Sequence, residues 1–299
     1  MKTLIFVFMV AGLVFARPVS AQELTEGGLE ETDQHYTATG EVDTIGWRAG
    51  GDIPPPNRFF FRDGIDIPVF HQFKLPACVG YAIASAVAMR LNWFCRNRCG
   101  CRQKLSPFSA SYIFNQIYRD GAKGISLAAG LDTLWAQGIC PEHIFPNDPR
   151  SAVRRPSPAD RQAAGAYRCW QQKERIFFLP DEMPDAPKRK ALMLDLLRGH
   201  LSKGLPVIAG LRCPPDFFKF QGGKYTAQNL PEKANHAVVV TGYDNDKREI
   251  EILNSFGERW GAGGFARIGF DDFCEMARYG YVIRVEGGVG KYCFDGDKK

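Results

Sequence analysis

A run of apolar residues with no polar face follows Cys78, and it constrains the fold of this chain more than any other feature. Residues 79–93 read VGYAIASAVAMRLNW, and Pro76 stands just before them, where a helix start tolerates proline. A helix that is apolar all round must be buried on every side. The chain has 299 residues, 45% of them hydrophobic, which is enough to surround such a helix within one large domain or two packed half-domains.

The N-terminus has the pattern of an export signal. Lys2 precedes an apolar run at residues 4–16, and small residues at 19–21 have the spacing of a cleavage site. Residues 1–21 are therefore predicted to be a signal peptide, and the protein is expected to be periplasmic or secreted. The alternative, a membrane anchor, is disfavoured because Arg17 ends a run that is already short for a span. No later segment is predicted to cross a bilayer, so stable membrane insertion is not expected.

Charge is distributed unevenly along the chain. The net charge is +5, yet residues 22–47 carry seven acidic residues and no Lys or Arg, so the remaining mature chain is basic. Residues 22–50 are predicted to be a flexible acidic tail or a short pro-segment, with the hypothesis that they rest on the basic domain and cover a cleft. The basic residues are scattered and match no nucleic-acid-binding module, so a nucleic-acid partner is not expected.

The nine cysteines are interpreted through the predicted export, since an oxidising compartment favours disulfides. If Cys78 stays a free thiol, eight cysteines remain, enough for four bridges of undetermined connectivity: Cys95, Cys99, Cys101, Cys140, Cys169, Cys213, Cys274 and Cys293. The close spacing of Cys95, Cys99 and Cys101 could seed a zinc site, but a second ligand pair is lacking. No metal or other cofactor is therefore predicted.

Helical and strand patterns are segregated along the sequence. Beyond the apolar helix, further helices are predicted at 109–118, 127–136 and 187–202, the last ending before Gly204. Strand patterns are predicted later, at 206–211, 237–243, 249–254, 264–268 and 279–285. An extended lead-in is expected at 53–70 and a loop at 147–160. Helices followed by strands are typical of an α+β protein.

Cys78 stands at the start of the apolar helix. Free backbone N–H groups and the positive end of the helix dipole favour a thiolate there, and the thiolate is the reactive form. Taken alone, however, Cys78 is better explained as half of a disulfide or as an inert buried thiol. A catalytic role requires partners from elsewhere in the chain.

A predicted hairpin supplies two such partners. A turn centred on Asn245 would set His236 directly opposite Asn254, on an inward face shared with valines and isoleucines, while Glu249 and Glu251 would point to water. This register depends on the turn, because an even-length turn would put the pair on opposite faces unless a bulge compensates. The alternatives are a satisfied core histidine and an ordinary turn asparagine.

Three segments together resemble the papain family of cysteine peptidases, especially its bacterial members. They are Gln72 six residues before Cys78, the run NHAV at 235–238, and the run NSFGERWGAGGF at 254–265. The resemblance covers about residues 65–285 of a domain at 51–299. It implies a two-lobed α+β fold with a helical lobe at about 65–200, a β-rich, barrel-like lobe at about 205–285, and the active site between them.

The resemblance also implies a mechanism. Cys78 would be the nucleophile, His236 its base in a thiolate–imidazolium ion pair, and Asn254 the residue that orients the imidazole. The Gln72 side-chain amide and the Cys78 backbone N–H would form the oxyanion hole. A monomeric peptidase that acts on protein or peptide substrates without a cofactor is expected.

Two further residues are implied as substrate-binding. Trp260 would stand beside the leaving-group side of the cleft, although ordinary packing would explain it equally well. Gly124 would lie on the opposite wall, where family members offer backbone to an extended peptide.

Departures from the family pattern keep other functions open. The segment LPACV at 75–79 lacks the family's neighbouring cysteine and following aromatic residue, and Phe256 replaces a tryptophan that shields the Asn–His hydrogen bond. An acyl-transferring enzyme, either a transpeptidase or an isopeptidase, could use the same Cys, His and Asn. A catalytically silent binding protein of the same fold is the other alternative.

Overall fold

The computed structural model describes residues 28–29, 54–99, 107–148, 150–168, 170–178 and 186–285. The predicted signal peptide at 1–21 lies outside these residues. So does the acidic segment at 22–50, apart from Gly28 and Leu29.

Helix α1, Cys78–Phe94, is the buried centre of the helical part, as its apolar sequence predicts. It packs against α2 (Ala110–Ile117), α3 (Leu127–Gln137) and the strands behind them. By length and composition alone, Cys78–Asn97 could cross a membrane, contrary to the expectation that no such segment follows the leader. However, 83% of that window is buried inside the protein, so the helix is accounted for as a core element.

Serine residues cap the N-termini of several of the remaining helices. Ser109 accepts a hydrogen bond from Tyr112 N at the start of α2, and Ser126 does the same for Ala129 N at the start of α3. Helix α4, Pro158–Gly165, begins with a capping box made by Ser157 and Asp160. The expected loop at 147–160 therefore ends in an unpredicted helix. Helix α5, Ala186–Ser202, ends just before Gly204, whose φ of 74° favours glycine.

One mixed sheet runs through the second half of the chain. Its strand order is β2-β8-β3-β5-β6-β7-β4, with β1 paired to β5, and all pairs are antiparallel except β4 with β7. The strands are β1 (Arg58–Phe60), β2 (Trp170–Phe178), β3 (Val207–Leu211), β4 (Lys224–Tyr225), β5 (His236–Asp244), β6 (Glu249–Leu253), β7 (Phe265–Gly269) and β8 (Ala277–Val285). Helix α6, Phe270–Met276, joins β7 to β8. The α+β class is confirmed, while β1, β2, β4 and α6 were not predicted.

The β5–β6 hairpin has a different register from the predicted one. Asp244 pairs with Glu249, so the turn is longer and even in length, and the pairing of β5 with β6 ends at Val239 and Leu253, before His236. A register shift between Val240 and Gly242 leaves Thr241 as an extra residue. Because side chains alternate along a strand, this bulge compensates for the even turn and returns His236 to the face of Asn254.

The expectation that Glu249 and Glu251 point to water is wrong. Both are buried, Glu251 to 1% exposure, and basic side chains from neighbouring elements pair with both. Arg62 contacts Glu251 at 2.8 Å, Lys224 contacts Glu249 at 3.0 Å, and Arg267 lies 3.6 and 3.8 Å from the two carboxylates. Burial raises the pKa of Glu251 and Arg62 opposes that rise, so the cations keep this carboxylate from standing unpaired in the core.

At Cys140, Cys213 and Cys274, none of the predicted disulfides is formed. Cys140, Cys213 and Cys274 are buried thiols, and each packs in the core as a small apolar side chain. Cys101, Cys169 and Cys293 lie outside the described residues. Within the described part of the chain, His, Cys, Asp and Glu side chains form no group of three or more that could hold a metal ion.

Candidate active site

Backbone groups surround the thiol of Cys78 at the start of α1. The N-cap residue, Ala77, has no side chain that could bond the first N–H groups of the helix. Burial raises the pKa of the Cys78 thiol to about 11, while backbone hydrogen bonds from Ala237, Gly28 and Val79 oppose the rise. Cys78 is fully buried, so the thiol form is stable at neutral pH in this arrangement.

His236 begins β5 and is held by Asn254, which follows β6. The distance from His236 Nε2 to Asn254 Oδ1 is 2.8 Å, and Ser255 N donates to the same oxygen at 2.7 Å. Because an amide oxygen can only accept a hydrogen bond, this contact selects the histidine tautomer with the proton on Nε2. The other nitrogen, Nδ1, is buried and has no hydrogen-bond partner in the structure. Nδ1 is therefore the basic nitrogen, and the next residue, Ala237, hydrogen-bonds the Cys78 sulfur.

Three phenylalanines enclose the His236 ring. Phe256 stacks on it at 4.8 Å between ring centroids, and Phe217 and Phe218 approach edge-on at 5.9 and 5.6 Å. Burial lowers the pKa of His236 to about 4, and the hydrogen bond with Asn254 opposes the decrease. Shielding of the His–Asn bond is thus shared between Phe256 and residues of the short 3-10 helix Phe217–Lys219.

Gln72 is oriented by the residue that follows Asn254. Ser255 Oγ donates to Gln72 Oε1 at 2.6 Å, and Gln72 N donates to Ser255 O at 2.8 Å. Gln72 Nε2 donates one proton to Leu75 O at 2.8 Å, and its second proton remains for another acceptor. Ser255 therefore connects Gln72 to Asn254 in one buried network, so the structure brings these predicted residues together.

Trp260 lies behind this network. Its Nε1 donates to Phe217 O at 2.7 Å, its ring is tilted against Phe217 at 5.1 Å, and only 3% of the residue is exposed. Trp260 thus fixes the 3-10 helix that encloses His236. In this arrangement Trp260 presents little surface to a ligand.

The segment that contains Gly124 contacts two residues from the N-terminal part of the same chain, Gly28 and Leu29. Ile125 N donates to Gly28 O at 3.2 Å, Leu29 N donates to Asn235 O at 3.3 Å, and Leu29 forms a parallel bridge with Ile125. The approach is so close that a Cβ added at Gly28 would overlap the Pro76 carbonyl. Gly28 and Leu29 therefore lie between Ile125 and Asn235, and the Gly28 backbone contacts the Cys78 thiol.

Several of these contacts were not predicted from the sequence. Asn235 and Ser255 adjoin His236 and Asn254 within the motifs, so adjacency was the available signal for them. Phe217 and Phe218 carry no distinguishing spacing, since two adjacent phenylalanines in an apolar stretch are typical of any core.

Comparison of the sequence with known families gives a match to the papain family cysteine proteases over residues 80–283. Among curated proteins, the chain is 25% identical over 201 residues to an uncharacterized peptidase C1-like protein of Acanthamoeba polyphaga mimivirus, covering 65% of this chain and 61% of the viral protein. It is also 25% identical over 255 residues to mouse cathepsin R, covering 80% of this chain and 68% of the cathepsin. The match thus spans less than two thirds of the viral protein.

Solved structures share the fold. Xylellain, a cysteine protease from Xylella fastidiosa, superposes with a TM-score of 0.65 at 18% identity, covering 88% of this chain and 97% of xylellain. Digestive procathepsin L 3 of Tenebrio molitor larval midgut gives a TM-score of 0.62 at 15% identity, covering 87% of this chain and 76% of the procathepsin. At these identities the superpositions establish the two-lobed architecture.

Proposed function

The chain belongs to the papain family of cysteine proteases, and on that premise we propose that it hydrolyses peptide bonds with Cys78, His236 and Asn254. The observation that carries this proposal is the state of His236. The Nε2 of His236 is hydrogen-bonded to Asn254 Oδ1 at 2.8 Å, whereas its Nδ1 is buried and has no hydrogen-bond partner. The next residue of the strand, Ala237, hydrogen-bonds the Cys78 sulfur. Most buried side-chain nitrogens have a hydrogen-bond partner, and this unpartnered one is available to take the thiol proton.

The proposed reaction follows from these positions. Nδ1 of His236 takes the Cys78 proton, and the thiolate attacks the scissile carbonyl carbon. The carbonyl oxygen becomes an oxyanion that accepts hydrogen bonds from Cys78 N–H and the second Nε2 proton of Gln72. When the intermediate collapses, His236 gives its proton to the leaving amine. Water, activated by the same nitrogen, then hydrolyses the thioester and regenerates the thiol.

We propose further that residues 22–50 act as a cover over this site. The contacts of Gly28 and Leu29 with Ile125 and Asn235 support the proposal, because they fill the space that an extended peptide would need. In the covered state the pair is thiol and imidazole, since burial disfavours both charges. Departure of the cover would admit water and favour the thiolate–imidazolium pair.

Export through the signal peptide at 1–21, to the periplasm or outside the cell, remains part of the proposal. It predicts a mature N-terminus at Gln22, which N-terminal sequencing of the secreted or periplasmic fraction would test. Disulfides among the cysteines outside the described residues belong to the same proposal, and non-reducing peptide mapping of that fraction would detect them.

The test of the enzymatic proposal compares the full chain with Cys78→Ala and with Cys274→Ala, a buried thiol on α6. Hydrolysis of a fluorogenic peptide library and of casein should be lost only in Cys78→Ala. Rapid iodoacetamide labelling of Cys78 once the site is uncovered should be lost in His236→Ala. An added amine that is incorporated into the product would indicate acyl transfer, and absence of turnover in every form would indicate a silent binding protein.

A further inference from the structure

A second buried thiol lies near the candidate site. Cys213 is 1% exposed and unpaired, and follows β3 by two residues. The proposed hydrolysis makes no use of it.

Asn235 holds Cys213 against the strand of His236. Cys213 N donates to Asn235 Oδ1 at 2.8 Å, and Asn235 Nδ2 donates to Cys213 O at 2.9 Å. Asn235 N in turn donates to Leu211 O at 3.0 Å. Both backbone groups of Cys213 are thus bound by one side chain, which fixes the thiol's position relative to residues 235–237.

Cys78 contacts the same segment at Ala237. Ala237 hydrogen-bonds the Cys78 sulfur, and Leu29, next to the Gly28 that covers this sulfur, donates to Asn235 O. Helix α1 also packs on β3, the strand that leads to Cys213. Two buried thiols therefore contact the same three-residue segment, Cys213 at Asn235 and Cys78 at Ala237.

The two groups interact electrostatically. Burial, and next the charge of the Cys78 thiolate, raise the pKa of Cys213 well above its ordinary value. Cys78 consequently ionises first, while Cys213 stays protonated beside it. Thiolates react with oxidants and thiols do not, so oxidation would start at Cys78.

We propose that Cys213 is a resolving thiol, which makes Cys78 a reversible oxidation site for peroxides. Hydrogen peroxide transfers one oxygen to the Cys78 thiolate, giving a sulfenic acid and hydroxide. The Cys213 sulfur then attacks the Cys78 sulfur, the S–O bond breaks, and the leaving hydroxide departs as water with the Cys213 proton. Two thiols and one peroxide become one disulfide and two waters, and two equivalents of a monothiol reverse the change.

This inference rests on the proposed role of Cys78 as nucleophile, but its test is independent of turnover. The full chain, Cys213→Ser and the control Cys274→Ser are treated with increasing hydrogen peroxide and analysed by intact mass and peptide mapping. The same set is repeated with Gly28→Ala, which removes the cover from the thiols. In the chains that retain Cys213, we expect a loss of two hydrogen masses and a dithiothreitol-sensitive peptide joining Cys78 to Cys213.

In Cys213→Ser the sulfenic acid has no resolving partner. Dimedone should therefore label Cys78 in that variant alone, and higher peroxide should add two or three oxygens that dithiothreitol does not remove. Peptidase activity, where present, should return on reduction in the full chain and not in Cys213→Ser.

Three results would overturn the proposal. One is dimedone labelling of Cys78 to the same extent with and without Cys213. Another is a Cys78 bridge to a different cysteine. The third is no reaction of Cys78 with peroxide even in the Gly28→Ala chain, which would mean that Cys78 is not an oxidation site.

Discussion

At the scale of single residues, burial determines the protonation of the proposed catalytic pair. Three phenylalanines around His236 and the backbone of Gly28 over Cys78 exclude water from both groups. The thiolate–imidazolium pair that the sequence resemblance implies is therefore a prediction for the uncovered site. In the covered site both groups are neutral.

Acid should destabilise the chain through His236. Its pKa is about 4 in the folded chain and about 6.5 in the unfolded chain. Between these two pH values, His236 is protonated in the unfolded chain and neutral in the folded chain. The free energy of unfolding should consequently fall as the pH falls from about 6.5 to about 4, by about 2 kcal/mol between pH 7 and pH 5. Urea unfolding of the native chain and of His236→Gln measures this. Equal pH dependence in both would contradict the prediction.

The motifs contained enough information to predict which residues meet, but not what surrounds them. Gln72, His236 and Asn254 were predicted because each occupies a recognisable position in a short motif. The enclosure by Phe217 and Phe218 could not be predicted, because it depends on how a 3-10 helix packs on β5 from a distance in sequence. The same holds for Cys213, which the sequence left among the disulfide candidates.

At the scale of elements, the β5–β6 hairpin shows how a wrong register can coexist with a correct contact. The period-2 pattern of β5 and β6 was sufficient to predict both strands. The turn length was not, because residues 244–249 fit either an odd or an even turn. The bulge at Thr241 then determines which side chains share a face.

Deletion of Thr241 should separate His236 from Asn254. Without the extra residue, β5 continues in the register of its second half, and the side chains before the deletion turn to the opposite face. We expect peptidase activity to fall at least about 10²-fold, since a misplaced base loses its geometry. Thr241→Ser, which keeps the residue count and the hydroxyl bond to Glu251, should stay active.

Both Thr241 variants should be compared by far-ultraviolet circular dichroism before their activity is measured. A folded deletion variant with full activity would show that the bulge does not determine the position of His236. Loss of activity in Thr241→Ser, which keeps the hydroxyl bond to Glu251, would instead point to packing of the Thr241 methyl group.

The elements that escaped prediction have a common cause. Strand β2, residues 170–178 (WQQKERIFF), has five consecutive polar residues after Trp170 and forms through pairing with β8. The short helix α6 is similarly mixed in polarity. Local pattern predicts elements that bury a continuous face, such as α1, and fails where pairing to a remote strand stabilises a segment of weak propensity.

At the scale of the whole molecule, the covered cleft brings the N-terminal segment into contact with both lobes. The acidic composition of residues 22–47 led to the hypothesis of a cover, and the contacts of Gly28 and Leu29 support it. The composition could not predict which residues make the contact. That depends on the absence of a side chain at Gly28, beside Pro76 and Gly124.

Gly28→Ala should uncover the site without altering any of the proposed catalytic residues. The added methyl group would overlap the Pro76 carbonyl, so the segment should leave the cleft. We expect faster peptide hydrolysis, faster alkylation of Cys78, and an alkylation profile shifted to lower pH because desolvation no longer raises the thiol pKa.

Gly165→Ala is the matched control for this exchange. An added Cβ at Gly165 meets no atom within 4 Å, so the alkylation rate should not change. If Gly28→Ala labels no faster than this control, the segment does not limit access to Cys78.

The location of Gly28 on the same chain as Cys78 has a kinetic consequence. Its contact with the cleft is intramolecular, so the fraction of covered sites does not fall when the protein is diluted. A peptide substrate must compete with a local concentration that short flexible tethers place on the order of millimolar. Cutting the chain between Leu29 and the domain would turn this fixed competitor into a dissociable one, and dilution alone would then release it.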